Sequence, residues 1–149
     1  MGVDISVAAP GVRVTLLRSR LRGALAQIGK SRWALDVWLT DDDGIWALNK
    51  TWRGIDAPTD VLSFPALAGP GPKALGDIAV SVPTASRQAA SVGHGVDDEV
   101  WVLCVHGLAH LLGHDHEEEA ATARMIEAEQ ALLGGLVPGL VARASPSAG

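Results

Sequence analysis

His106-Gly107-Leu108-Ala109-His110-Leu111-Leu112-Gly113-His114-Asp115-His116 closes the stretch on which the fold turns. Just before it, Val100-Trp101-Val102-Leu103-Cys104-Val105 is apolar without a break. A helix that is hydrophobic all round belongs in the interior. Val100 to Leu112 therefore reads as a central helix, led in by Asp97-Asp98-Glu99 and stopped by Gly113. Four of the five histidines in the chain fall within these eleven residues. His106 and His110 are four apart, so they share one helix face one turn apart. Two such imidazoles can reach one cation at about 2.0–2.1 Å each. Gly113 lets the chain turn back, and His116 can then approach the same ion. Three protein ligands with an open fourth position is the arrangement of catalytic zinc, which lowers the pKa of a bound water to about 7.

Other readings of these histidines exist. Two histidines at this spacing can arise by chance, but several unpartnered imidazoles on an apolar helix cost energy to bury. His114 is read as a non-ligand. Asp115, with Glu118 three residues on, has the spacing of a capping box and opens a last helix. Imidazole ligands also suit nickel and copper. The H-E-x-x-H motif of zinc peptidases places its general base directly after the first histidine. Here that position is Gly107, so the metal scaffold is similar and the peptidase base is missing.

Working outward, Asp4 to Val7 is a short strand ended by Pro10 and Gly11. Val12 to Ile28 is an amphipathic helix, with Leu16, Leu17, Leu21, Leu25 and Ile28 on its apolar side. Trp33 to Thr40 alternates, Trp33, Leu35, Val37 and Leu39 sharing one face, while Trp38 on the other face implies cover there as well. One aspartate of Asp41-Asp42-Asp43 caps a helix from Ile45 to Arg53. Val61-Leu62-Ser63-Phe64 is a short apolar strand, Ala66 to Ala74 an exposed loop, and Gly76 to Val82 a buried strand. Pro83 and Thr84 open a helix that runs to about Val92. The expected fold is α+β: one domain, 1–137, with a small mixed four-stranded sheet covered by helices and a three-histidine metal site at the end of a central helix. Residues 138–149 are expected to form a mobile tail.

Composition narrows the function classes. The chain has 149 residues, of which 48% are hydrophobic, with a mean hydropathy of +0.21 and no apolar run long enough to span a membrane. The N-terminus lacks the pattern of a secretion signal. Met1-Gly2-Val3-Asp4-Ile5-Ser6 fits the loose myristoylation pattern, but no polybasic patch supports it. A single cysteine, Cys104, excludes an internal disulfide framework and fits a reducing cytoplasm. The formal charge is −5, unevenly placed. Residues 1–53 hold eight Lys and Arg against five Asp and Glu, and the remainder holds four against twelve. Arg13, Arg18, Arg20, Arg22, Lys30 and Arg32 thus allow a nucleic-acid face on the N-terminal half, or simply a solvated helix face.

Three stretches together resemble one family. His106 to His116 is similar to the H-G-x-L-H-L-x-G-Y-D-H signature of the YbeY-type endoribonucleases, which are rRNA-maturation factors. Asn49 to Pro65, NKTWRGIDAPTDVLSFP, resembles that family's N-x-x-[YW]-R-x-x-D-x-P-T-D-V-L-S-F-P, and Leu75 to Ser81 resembles its L-G-D-I-x-I-S strand. Ala109 and His114 depart from the signature's leucine and tyrosine. The resemblance implies a zinc ion on His106, His110 and His116 and single-strand-specific RNA cleavage in 16S rRNA 3′-end maturation and ribosome quality control. It also implies a cytoplasmic location and partnership with the small ribosomal subunit. The family's conserved arginine falls on Arg53, which with His106 is the candidate catalytic residue. Arginine binds phosphate bidentately and keeps its charge; the alternative for Arg53 is an ion pair with Asp56 or Asp60. Trp52 could stack on a base, with a core role favoured; Cys104 is assigned to an inert core thiol, and Asp77 to orienting a neighbour. Two other functions compete: a non-catalytic ribosome-assembly factor with structural zinc, and a zinc peptidase, against which Gly107 argues.

Overall fold

The computed structural model describes residues 2–66 and 73–113. The expected last helix, His114, His116 and the C-terminal tail lie outside the described residues. The elements run β1 (Val3–Val7), α1 (Val14–Gln27), β2 (Ala34–Thr40), α2 (Asp42–Arg53), β3 (Val61–Pro65), β4 (Ala74–Ser81), α3 (Val82–Val92) and α4 (Val96–Leu111). The four strands form one mixed sheet in the order β1-β2-β4-β3. β1 and β4 run parallel to β2, and β3 pairs antiparallel with β4 at the edge. The α+β architecture expected from the sequence is the one observed.

Alternation along the strands fixes the two faces. Leu35, Val37 and Leu39 of β2, Ile78 and Val80 of β4 and Val61 of β3 join Leu17, Leu21 and Leu25 of α1 and Val100 to Val105 of α4 in the main core. α4 is central, as its composition requires: every residue from Glu99 to Ala109 is buried. It starts one turn earlier than expected, at Val96. Asp97, Asp98 and Glu99 thus sit in its first turn, where the positive helix end favours carboxylates. Arg13 donates to Asp97 through its backbone N and Nε at 2.8 and 2.9 Å, and Arg20 pairs with Asp98 at 3.1 Å. Part of the N-terminal basic face therefore clamps α1 to α4.

The opposite face is only partly covered. α2 packs Ile45 and Leu48 on Leu62, Phe64 and Ala79. Asp41 caps α2 by accepting from the Gly44 N–H at 2.8 Å, and Gly54, at φ 68°, ends it in the left-handed region. Among the described residues no helix covers the β1–β2 side, and Trp38 is 47% exposed, against the expectation of a second covered face. At the other end of the sheet, Gly76 takes φ 140°, and a Cβ there would stand 2.2 Å from the Phe64 carbonyl oxygen. Only glycine lets the two strands meet at this point.

Candidate metal centre and adjoining cleft

His106 and His110 project from the last two turns of α4. His106 is fully buried and His110 half-buried. Their rings meet edge to face at 82°, and their Nε2 atoms are 3.2 Å apart. Two imidazoles on a tetrahedral zinc at about 2.0–2.1 Å place their nitrogens roughly 3.3–3.4 Å apart. The pair therefore fits a shared cation, and the negative end of the helix favours one there. The third expected ligand, His116, lies outside the described residues, and among the described residues no group of three metal-ligating side chains forms. Gly107, where a zinc peptidase carries its glutamate, faces Ile78, and a Cβ would sit 3.0 Å from Ile78 Cγ2. Strand packing, as well as sequence, leaves no room for that base.

A cleft of about 690 Å³ opens beside α2, on the partly covered face. Trp38, Trp52, Arg53, Phe64, Pro65 and Asp77 line it. Register connects it to the histidines. Pro65 pairs with Gly76, and the Gly76 backbone lies against Leu111, the neighbour of His110. Cleft and histidine pair thus occupy the same end of β3 and β4.

Arg53 does not make the ion pair with Asp56 that its sequence position allows. Its NH2 group donates to the Ser63 carbonyl oxygen at 2.5 Å, and its guanidinium lies over the Phe64 ring, 5.6 Å from the centroid. Asp56 instead accepts from Trp46 Nε1 at 2.7 Å. The carboxylate of Asp60 accepts from Gln88 at 3.2 Å and from the Thr59 hydroxyl at 3.3 Å, and its backbone carbonyl accepts from the Ser81 N–H. Buried Asn49 donates to the Ala57 carbonyl at 2.8 Å. Asn49, Asp56, Thr59 and Asp60 therefore hold the 54–60 loop in shape, and among the described residues Arg53 is the cationic group lining the cleft.

Two wall residues differ from the sequence reading. Trp52, read with a core role favoured over base stacking, is 70% exposed. Trp38 lies on the polar face of β2 between Asp36 and Thr40, and its indole N–H donates to Asp77 at 3.2 Å. The usable signal was an aromatic at the wrong phase of an alternating strand. Asp77 does orient a neighbour, as expected. Cys104 is fully buried, and burial pushes its thiol up to about 12, so it is inert. No helix among the described residues is long and apolar enough to cross a membrane.

Fold and site together define a small α+β protein with a histidine pair on the end of a buried helix and an arginine-bearing cleft at the same end of β3 and β4. The sequence model of the family described as Endoribonuclease YbeY matches residues 14–136, and the chain belongs to that family. Endoribonuclease YbeY of Moorella thermoacetica is 49% identical over 112 residues, covering 68% of this chain and 72% of that protein. The Myxococcus xanthus protein of the same name is 46% identical over 123 residues, covering 80% and 42%. That of an Anaeromyxobacter species is 41% identical over 152 residues, covering 99% and 79%. The solution structure of TM1509 from Thermotoga maritima shares the fold, with a TM-score of 0.58 and 24% identity over 97% of this chain and 93% of that one.

Proposed function

We propose that this chain is a zinc-dependent endoribonuclease that cuts single-stranded RNA in 16S rRNA 3′-end maturation and ribosome quality control, working in the cytoplasm on the small ribosomal subunit. The observation that carries the reading is the His106–His110 pair, 3.2 Å between Nε2 atoms, at the same strand ends as the Arg53 cleft, in a chain of the endoribonuclease family. His106 and His110, with His116, would hold one zinc ion. When bound, such an ion supplies Lewis acidity toward a phosphoryl oxygen. Arg53 supplies the phosphate contact. One of its five N–H donors is engaged by Ser63, which aims the guanidinium, and among the described residues no other partner takes the rest, which suit a non-bridging oxygen. Phe64 beneath the guanidinium keeps it from folding away from the cleft. The 54–60 loop fixes the backbone around the arginine, so the charge is in place before substrate arrives.

The test is cleavage of a single-stranded rRNA fragment by pure protein, compared with His110→Ala and Arg53→Ala. Loss of cutting in both variants is expected. Equal cleavage by all three proteins marks the activity as contamination and ends the proposal. No cleavage by any of them, with small-subunit association intact, leaves an assembly factor instead.

A further inference from the structure

The cleft has a polarity that phosphate binding at Arg53 does not account for. Trp38 on β2, Asp77 on β4 and Phe64 on β3 follow one another across the sheet, with Arg53 over Phe64 and the exposed Trp52 also on the wall. Trp38 is anchored by the bond from its indole N–H to Asp77 Oδ2. The other oxygen of Asp77 accepts no hydrogen bond among the described residues. Behind Asp77, the register Asp4↔Asp36↔Asp77 sets three carboxylates side by side on adjacent strands, on the same open face. Partial burial first, then the neighbouring charges of Asp77 and Asp4, push the pKa of Asp36 up. Phosphate is repelled from that acidic row and drawn to the arginine. A nucleotide in the cleft is thereby oriented, backbone toward Arg53 and base toward Asp77.

Resting on the endoribonuclease reading, we infer that the cleft holds one nucleotide of a single-stranded RNA, its base stacked on Trp38 and Trp52 and its exocyclic amino group donating to Asp77. The preference follows from the chemistry of the carboxylate. An ionised aspartate only accepts hydrogen bonds. It matches the amino group of cytosine at N4 and is unmatched by the carbonyl oxygen that uracil carries at the same place. The two bases are otherwise nearly the same size and shape. Stacking on indole tolerates any base, so the tryptophans add affinity and Asp77 adds selection.

The experiment is fluorescence anisotropy with the full chain and labelled ten-nucleotide C and U homopolymers, with probe integrity checked on a gel. The C probe is expected to bind about tenfold tighter than the U probe, the scale of one base-specific contact. Asp77→Asn, which still accepts from Trp38 and now also presents a donor, should bring the two probes within about twofold. Trp52→Ala should weaken both by about tenfold without changing their ratio. Equal binding of C and U by the unaltered chain overturns the inference, as does a preference that survives Asp77→Asn. Unchanged binding by Trp52→Ala also overturns it, and is the result expected if the aromatic wall docks a protein. The nuclease reading fails separately: a C preference with no cleavage leaves this subsite standing, and cleavage with no preference removes only the subsite.

Discussion

The Nε2 atoms of His106 and His110 stand 3.2 Å apart at the end of a helix in which every residue from Glu99 to Ala109 is buried. Helix geometry places the two rings one turn apart, and Ile78 fills the space beside Gly107 between them, where a Cβ would stand 3.0 Å from its Cγ2. A histidine pair held this way would bind a cation with little rearrangement. Protein purified without a histidine tag is expected to carry zinc at near one equivalent, and His110→Ala less than about a tenth of that. Excess zinc should raise the Tm of metal-stripped protein and leave that of His110→Ala unmoved, because a ligand stabilises only a state it binds. Equal metal content in the two proteins would count against the centre.

Arg53 separates charge from shape. Its guanidinium spans the Ser63 carbonyl and the cleft, a task for a planar fork rather than a point charge. Arg53→Lys should weaken binding of single-stranded RNA by about tenfold or more, the scale of a charge-assisted bidentate contact. Since the residue is exposed, stability should change by less than about 0.5 kcal/mol. Undiminished RNA affinity in the lysine variant would remove Arg53 from the binding site.

Much of this was legible from residue order, for identifiable reasons. Period and composition gave the buried central helix, and alternation gave β2, because burial on one side leaves a trace in the chain. The left-handed Gly54 and the Asp41 cap follow from rules of local geometry. The cleft walls were hidden because exposure depends on what is absent overhead. Nothing local to Trp38 or Trp52 reports that α2 covers only the β3–β4 half of the sheet. The Arg13–Asp97 and Arg20–Asp98 pairs were hidden for a different reason: they join residues far apart in the chain, and charge counting cannot say which arginines are already matched. Arg53 was placed by resemblance, and its carbonyl partner could be found only once β3 was seen at the sheet edge.

Asp42 ties the starts of α2 and α3 together. Its carboxylate accepts from the Ser81 hydroxyl at 2.5 Å, the Thr84 hydroxyl at 2.6 Å and Arg87 at 2.9 Å. The Ser81 bond above all, then those of Thr84 and Arg87, hold its pKa at about 2, below the usual 3.8, with slight burial opposing. A folded-state pKa below the unfolded value stabilises the fold above the unfolded pKa, and that contribution is lost as pH falls from 3.8 through about 2. Asp42→Asn cannot titrate, so its deficit relative to the unaltered chain should be largest near neutral pH. The gap should narrow between about pH 4 and pH 2 in urea-melt series. A constant gap across that window would mean the carboxylate is not favoured by its three donors.

Gly107 and Gly23 form a matched pair. Both are interior helix positions, where alanine is intrinsically better by about 1 kcal/mol. At Gly23 in α1 a Cβ meets nothing within 4 Å, whereas at Gly107 it meets Ile78 Cγ2 at 3.0 Å and two further Ile78 carbons at 3.3 Å. Ile78 is fully buried between α4 and the sheet and has no free direction in which to yield. Overpacking of this kind costs about 1–3 kcal/mol, which exceeds the propensity gain. Gly23→Ala should raise Tm by a few degrees and Gly107→Ala should lower it by a similar amount, about 2–4 °C per kcal/mol for a domain of this size. Because the displaced backbone lies between His106 and His110, Gly107→Ala should also reduce zinc affinity, while Gly23→Ala should not. Equal stabilisation by both substitutions would show that β4 can retreat from α4, and that Ile78 does not constrain the helix between the two histidines.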